Sequence, residues 1–300
     1  MSERRGLARA ALAAALLAGA CGPSAGSVPA PANPLMLPLW DDGRAELSVY
    51  EGVVPRYGHD RPAKVTLVVV KEDLLEDTLV KSEAGPRPGR TVEAVKMHWV
   101  WQFSTGTYDY HQAATVMFRR ADGVALKETM SSAEGCGITF VRVAPRGGRL
   151  VHAAHSYWEG EADREVEVPR RAGQELLFLD GAPVWLRRWA GAARPFETRV
   201  RLLPGQISAR SPAAAARPVD AVLRYLGEED LAVPAGRFRA RRFAIAVGGA
   251  THLYWLDARA PHVLLRMQGA DGRGMALAAT RRLDYWNHTA PGDERRLWRP

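Results

Sequence analysis

From residue 45 onward the chain alternates apolar and polar positions over strand-length runs separated by turn residues. Val92–Phe103 is the clearest run: Val95, Met97, Trp99, Trp101 and Phe103 fall on one face, and Lys96, His98 and Gln102 on the other. A period of two marks a half-buried strand. Thr107–Arg120 alternates in the same way, with Tyr108, Tyr110, Val116 and Phe118 opposite Asp109, His111, Thr115 and Arg119. The short, glycine-containing connection Phe103-Ser-Thr-Gly-Thr107 joins the two runs as a long hairpin.

Further strands are expected over Ala45–Glu51, Lys64–Glu72, Ile138–Val143 and Leu150–Trp158. Beyond residue 218 they are expected over Ala221–Leu226, Arg237–Val247, Thr251–Leu256, His262–Gln268 and Met275–Trp286. Gly248-Gly249 and Asp271-Gly272 read as hairpin turns. Only Gln174–Trp189 carries a helical pattern, and Asp180-Gly-Ala-Pro183 divides it into two short pieces. The expected fold is mainly β: one or two curved antiparallel sheets, half-barrel-like, with one or two short helices. A composition break at residues 204–218 divides an N-terminal β domain, 39–205, from a C-terminal meander, 218–300, read either as a second domain or as a continuation of the same sheet.

The first 38 residues depart from this pattern. Arg4, Arg5 and Arg9 precede the apolar run Ala10–Ala20. Eleven residues are too few to cross a bilayer, which needs about 20, so residues 1–20 read as a signal peptide. The run ends in Leu17-Ala-Gly-Ala-Cys21, which resembles the bacterial lipobox and makes Cys21 the expected site of lipidation. Gly22–Pro38 then carries Pro23, Pro29, Pro31, Pro34 and Pro38 with no charge. Residues 21–38 are therefore expected to form an extended tether, reaching at most on the order of 50 Å at ~3.1 Å per residue. Acyl chains on Cys21 would hold the protein to a membrane. Gly22 after the cysteine favours the outer membrane of a two-membrane cell, with the body facing the periplasm.

Composition narrows the function classes. The 300 residues are 47% apolar and 25% charged, the balance of a chain that buries a core. The formal charge is +8, and 38 basic against 32 acidic residues remain once the first 20 are removed. Only five basic residues are lysines: Lys64, Lys71, Lys81, Lys96 and Lys127. Arginine richness beside so much alanine reads as base composition, and no nucleic-acid partner is expected. Two cysteines exclude a disulfide scaffold and a multi-cysteine metal site.

No nucleophile elbow, P-loop, dinucleotide fingerprint or HExxH is present, and neither cofactor nor metal is expected. His152 and His155 should lie on opposite faces of one strand. Glu159, Glu161, Asp163, Glu165 and Glu167 should line one face of their run as a solvated acidic strand. Cys136 reads first as a buried small side chain, beside a reactive thiol or an intermolecular disulfide. Trp99, Trp101, Phe103, Tyr108 and Tyr110 are the candidate lining of an apolar pocket, or the packed core of a curved sheet.

Trp40-Asp-Asp-Gly-Arg-Ala-Glu46, Tyr50, Arg56-Tyr-Gly58, Thr66–Asp73, Val80-Lys81, Phe103–Tyr108, Cys136-Gly137 and Ser156-Tyr-Trp-Glu-Gly-Glu161 resemble a family of uncharacterised bacterial lipoproteins. Its members often carry the label septum formation inhibitor Maf. The phosphate-site motif of the nucleotide pyrophosphatases that share this label is missing from the chain. Tyr225–Phe238, Tyr254-Trp-Leu-Asp257 and Pro261-His-Val-Leu264 are similar to periplasmic domains of unknown function, of the lipoprotein-carrier half-barrel type. Neither resemblance supplies a catalytic residue. The tether, the alternating strands and the aromatic faces point to a non-enzymatic envelope lipoprotein, a binding or structural module for an apolar ligand such as an acyl chain or lipid, or for an envelope protein partner. The alternative is a lipid-anchored enzyme using Cys136 or Glu159 and Glu161.

Overall fold

The computed structural model describes residues 28–293, so Cys21 and the signal segment lie outside the described residues. Strands β1 (Ala45–Arg56), β2 (His59–Leu75), β3 (Thr91–Ser104), β4 (Asp109–Arg119), β5 (Ala125–Glu134), β6 (Gly137–Arg146), β7 (Arg149–Ser156) and β8 (Arg164–Glu167) form the first run. The second comprises β9 (Leu176–Phe178), β10 (Phe196–Leu203), β11 (Val219–Val233), β12 (Gly236–Val247), β13 (Ala250–Asp257), β14 (Leu264–Gln268) and β15 (Gly274–Leu283). The molecule is mainly β, built on one large curved sheet that does not close.

Sheet order explains the curvature. Within each run every strand pairs with its sequence neighbour, and β1 also pairs with β15, so both runs join into one sheet with β8 and β9 at its edges. All pairings are antiparallel except β9 with β10. Gly248 and Gly249 both take positive φ between β12 and β13, as a two-residue hairpin turn of this kind requires. The twist of so many strands bends one face into a concavity that holds the main core. A smaller cluster lies on the outer face, where Ala45, Leu47, Val68 and Val70 meet Leu283 and Tyr285.

Two segments fill the concave side. The first, the roof, runs from β9 through a 3-10 turn (Leu179–Gly181), the short helix α1 (Ala182–Trp185) and a second 3-10 turn (Leu186–Trp189). Gly181 permits its close approach to the sheet, since a Cβ there would lie 2.6 Å from the Phe118 ring. Arg187 fixes the roof from the other side. Its guanidinium grips both oxygens of Glu46 on β1 at 2.9 and 2.6 Å, with both side chains at most 2% exposed. The second segment, residues 204–217, packs against β6 and β7. Gln206 there meets His152 at 3.0 Å, and the Ala209 carbonyl accepts from Thr139 and Trp158.

Several expectations require correction. Leu176–Phe178, expected as helix, forms strand β9 because it runs parallel to Arg201–Leu203 at the sheet edge. The acidic run is a strand only from Arg164; Glu159–Asp163 form turns, and Glu161 points inward. Tyr108 precedes β4 instead of standing in it. Strands β5 and β10 were not among the expected runs. In β5 the inward positions include Glu128 and Ser132, which blur the apolar alternation. Part of the expected tether is docked: Leu35 is buried, Ala32 donates to the Arg188 carbonyl, and Asn33 donates to the Arg120 carbonyl.

Candidate functional site

A cavity of about 280 Å³ lies between strand β3 and the roof. Trp99 and Trp101 form its floor, Leu179 and Pro183 its ceiling, and Leu202 and Ile207 one flank. Opposite them stand Tyr254 on β13 and Met267 on β14. The period-two register of β3 points Val95, Met97, Trp99, Trp101 and Phe103 inward, all at most 5% exposed. Trp99 also donates its indole N–H to the Asp180 carbonyl at 2.9 Å, tying floor to roof.

Asp180 is the best-connected polar group in the wall. Its Oδ2 accepts from the backbone N–H of Gln206 at 2.6 Å and of Ile207 at 3.2 Å. Only glycine fits at 205, where a Cβ would come 2.9 Å from Asp180 Oδ1. Glu128, fully buried on β5, stands beside the Asp180 carboxyl, and no donor reaches either of its carboxyl oxygens. Burial pushes Glu128 well above the ordinary carboxyl range, and the Asp180 charge beside it acts in the same direction. Burial raises Asp180 too, against the pull of the hydrogen bonds it accepts. Both shifts favour the protonated form, because two adjacent buried carboxyls resist ionising together.

The remaining polar groups gather where the β12–β13 and β14–β15 turns meet. Arg273 pairs with Asp271 at 3.1 Å and lies over the Trp101 ring, 5.6 Å from its centroid. Burial lowers the Arg273 pKa against the opposing pull of Asp271. His252, whose Nδ1 is 3.3 Å from the Ala270 N–H, is pushed down by burial and is neutral at pH 7. The chemistry offered is an apolar slot with one polar end whose charges are already paired.

Of the five aromatic candidates, Trp99 and Trp101 line the cavity; Phe103, Tyr108 and Tyr110 stand outside that wall. Phe103 and Tyr110 stack at 4.7 Å, and Tyr108 packs on Tyr110 at 6.0 Å. They belong to a second cluster, at the edge where the β1–β2, β3–β4 and β5–β6 turns meet. There Arg56 and Tyr57 both reach the Tyr110 hydroxyl at 2.9 Å. Cys136 corrects another expectation: it is exposed, in the tight β5–β6 turn, with Sγ 3.0 Å from the Tyr108 hydroxyl. The glycines flanking it are required, since a Cβ on Gly135 or Gly137 would meet the ring of Tyr108 or Tyr157 at under 3 Å.

The other candidates are placed plainly. Glu161 accepts from Arg210 and from the Ser211 N–H, while Glu159 is exposed. His152 is buried and His155 faces outward to Asp163 at 2.6 Å. Among the described residues no group of three or more His, Cys, Asp or Glu side chains could hold a metal ion. None of their helices is long and apolar enough to cross a membrane. Sequence reasoning missed Asp180, His252, Asp271, Arg273 and Glu128. A glutamate at an inward position of an alternating run was the available signal for Glu128.

No family model and no curated protein matches the chain. Among solved structures, the chain is similar to a beta-barrel-like protein of the domain of unknown function DUF1849 from Brucella abortus. The identity is 10%, the TM-score 0.46, and the match covers 80% of this chain and 98% of that one.

Proposed function

We propose that the protein is a non-enzymatic, lipid-anchored envelope module that binds one apolar chain in the cavity between β3 and the roof. The observation that carries this reading is the slot itself, about 280 Å³ between Trp99 and Trp101 below and Leu179 and Pro183 above. Ligand pockets are mostly apolar, with a few placed polar groups, and typically hold ~300–1,000 Å³. A volume just below that range suits a single acyl chain better than a two-chain lipid. The polar end would hold a head group by hydrogen bonds, since Arg273 is already neutralised by Asp271. Anchoring through Cys21 rests on the basic segment, the apolar run and the lipobox-like residues before it.

Titration of the purified protein with a dansyl-labelled fatty acid tests the reading. Saturable fluorescence enhancement, reversed by an unlabelled fatty acid, is expected. Fluorescence that rises without saturation, or fails to reverse, overturns it.

A further inference from the structure

The convex face carries a second concavity, remote from the slot in position and opposite in chemistry. It is a groove of about 460 Å³ across β2–β5, and Lys81, Lys96 and Lys127 line it with Glu72, His98 and Tyr285. The chain holds 36 arginines and only five lysines, yet every Lys or Arg in this wall is a lysine. Register explains the convergence. Lys96 pairs with Met117, which pairs with Lys127, so the two lysines flank one methionine in a cross-strand row. At two strand spacings their Cα atoms stand about 10 Å apart, within bridging reach of one anion through their long side chains. Lys81 enters from the bridge it forms with Leu74 at the end of β2.

The charges in this groove do not balance. Glu72 pairs with Lys96, and among the described residues the one carboxylate that meets Lys81 is Glu83, whose side chain is 83% exposed and outside the wall. Lys127 donates to the Leu79 carbonyl at 3.0 Å, and no carboxylate forms an ion pair with it among the described residues. Burial depresses the Lys127 pKa, and Arg142 on the next strand adds to the effect. A partly desolvated ammonium beside other cations is unfavourable until an anion approaches. Lysines act as compact point charges toward phosphate, and a groove lined by one sign of charge concentrates counter-ions. His98 and Thr115, 2.7 Å apart, and Thr129 add neutral polar groups to the floor.

We propose that this groove binds a phosphate-bearing anion, with Lys81, Lys96 and Lys127 as its positive contacts. The phosphate belongs either to a soluble oligophosphate or to an anionic lipid head group.

Calorimetric titration of the full chain with inorganic tripolyphosphate tests this. Lys127→Gln keeps a donor for the Leu79 carbonyl, and Lys81→Gln removes an exposed charge; each should weaken binding by about tenfold, the scale of one charge-assisted hydrogen bond. Arg237→Gln removes the same charge from an exposed site elsewhere and should leave affinity unchanged. Displacement by phosphatidylglycerol vesicles, but not by phosphatidylcholine vesicles, assigns the head group; failure of both to displace assigns a soluble anion. Equal weakening by Arg237→Gln overturns the site in favour of diffuse surface charge. So does an absence of binding to both tripolyphosphate and phosphatidylglycerol.

Discussion

Glu128 on β5 and Asp180 in the roof meet as two adjacent buried carboxyls, and with them the sheet meets its cover. Backbone N–H groups of Gln206 and Ile207 hold the charge on Asp180, so a proton resides on Glu128. The raised pKa fixes the sign of the pH dependence. Folded Glu128 keeps a proton that the unfolded chain releases above the ordinary carboxyl value of about 4. Its contribution is complete below that value and is lost as pH rises through the folded pKa, by about 1.4 kcal/mol per pH unit. Unfolding midpoints measured from acid to mildly alkaline pH should fall in this sense, and Glu128→Gln should flatten the dependence. An equally steep profile in the variant contradicts a raised Glu128 carboxyl.

The Arg187–Glu46 pair should matter through what its loss leaves behind. Arg187 also donates to the Pro183 and Pro261 carbonyls, so Glu46→Ala strands a buried cation. Breaking such a pair typically costs 3–5 kcal/mol. Denaturant unfolding should show a loss of about that size, whereas Arg224→Ala, whose pair with Glu197 is half exposed, should cost under about 1 kcal/mol.

Strand β3 should show the asymmetry of its two faces. Trp101→Ala empties a fully buried site and should cost about 3–5 kcal/mol. Gln102→Ala, on the exposed face, should change stability by within about 0.5 kcal/mol. Chemical denaturation of both variants reads the difference, and equal effects would contradict the inward placement of Trp101.

Anchoring is tested by fractionation. Cys21→Ser should release the protein from the membrane fraction and block lipid-dependent processing. A variant that stays membrane-bound and normally processed removes the lipid anchor from the account.

Much of the fold was legible where side chains obey one rule at a time. In β3 the apolar face is uninterrupted, so register and burial follow from period two alone. The Gly248-Gly249 turn was legible because its backbone needs positive φ at both positions. The site was less so. Trp99 and Trp101 reach the cavity while Phe103, on the same face, does not, because the roof crosses β3 at Trp99 and leaves Phe103 to stack on Tyr110. That crossing is set by long-range contacts, such as Gly181 on Phe118 and Arg187 on Glu46, which no local pattern encodes. Cys136 was misjudged for a related reason: a cysteine's usual burial says nothing of a turn whose glycines are reserved for two tyrosine rings.

Occupancy of the cavity can also be tested from inside it. Val219→Trp, at a partly exposed position in the wall, should lower fatty-acid affinity at least about tenfold, since one lost buried contact of ~1.4 kcal/mol suffices. Its thermal midpoint should remain near that of the parent. Unchanged affinity would place the ligand elsewhere.

The most direct measurement uses a fatty acid brominated along its chain, because bromine quenches indole fluorescence only at close range. Trp99 and Trp101 form the cavity floor, so the acid should quench part of the tryptophan emission saturably. That quenched fraction should disappear in the Trp99→Phe/Trp101→Phe double variant, which still binds the dansyl probe. Quenching that survives intact in the double variant would show that the chain lies elsewhere and contradict the cavity as the binding site.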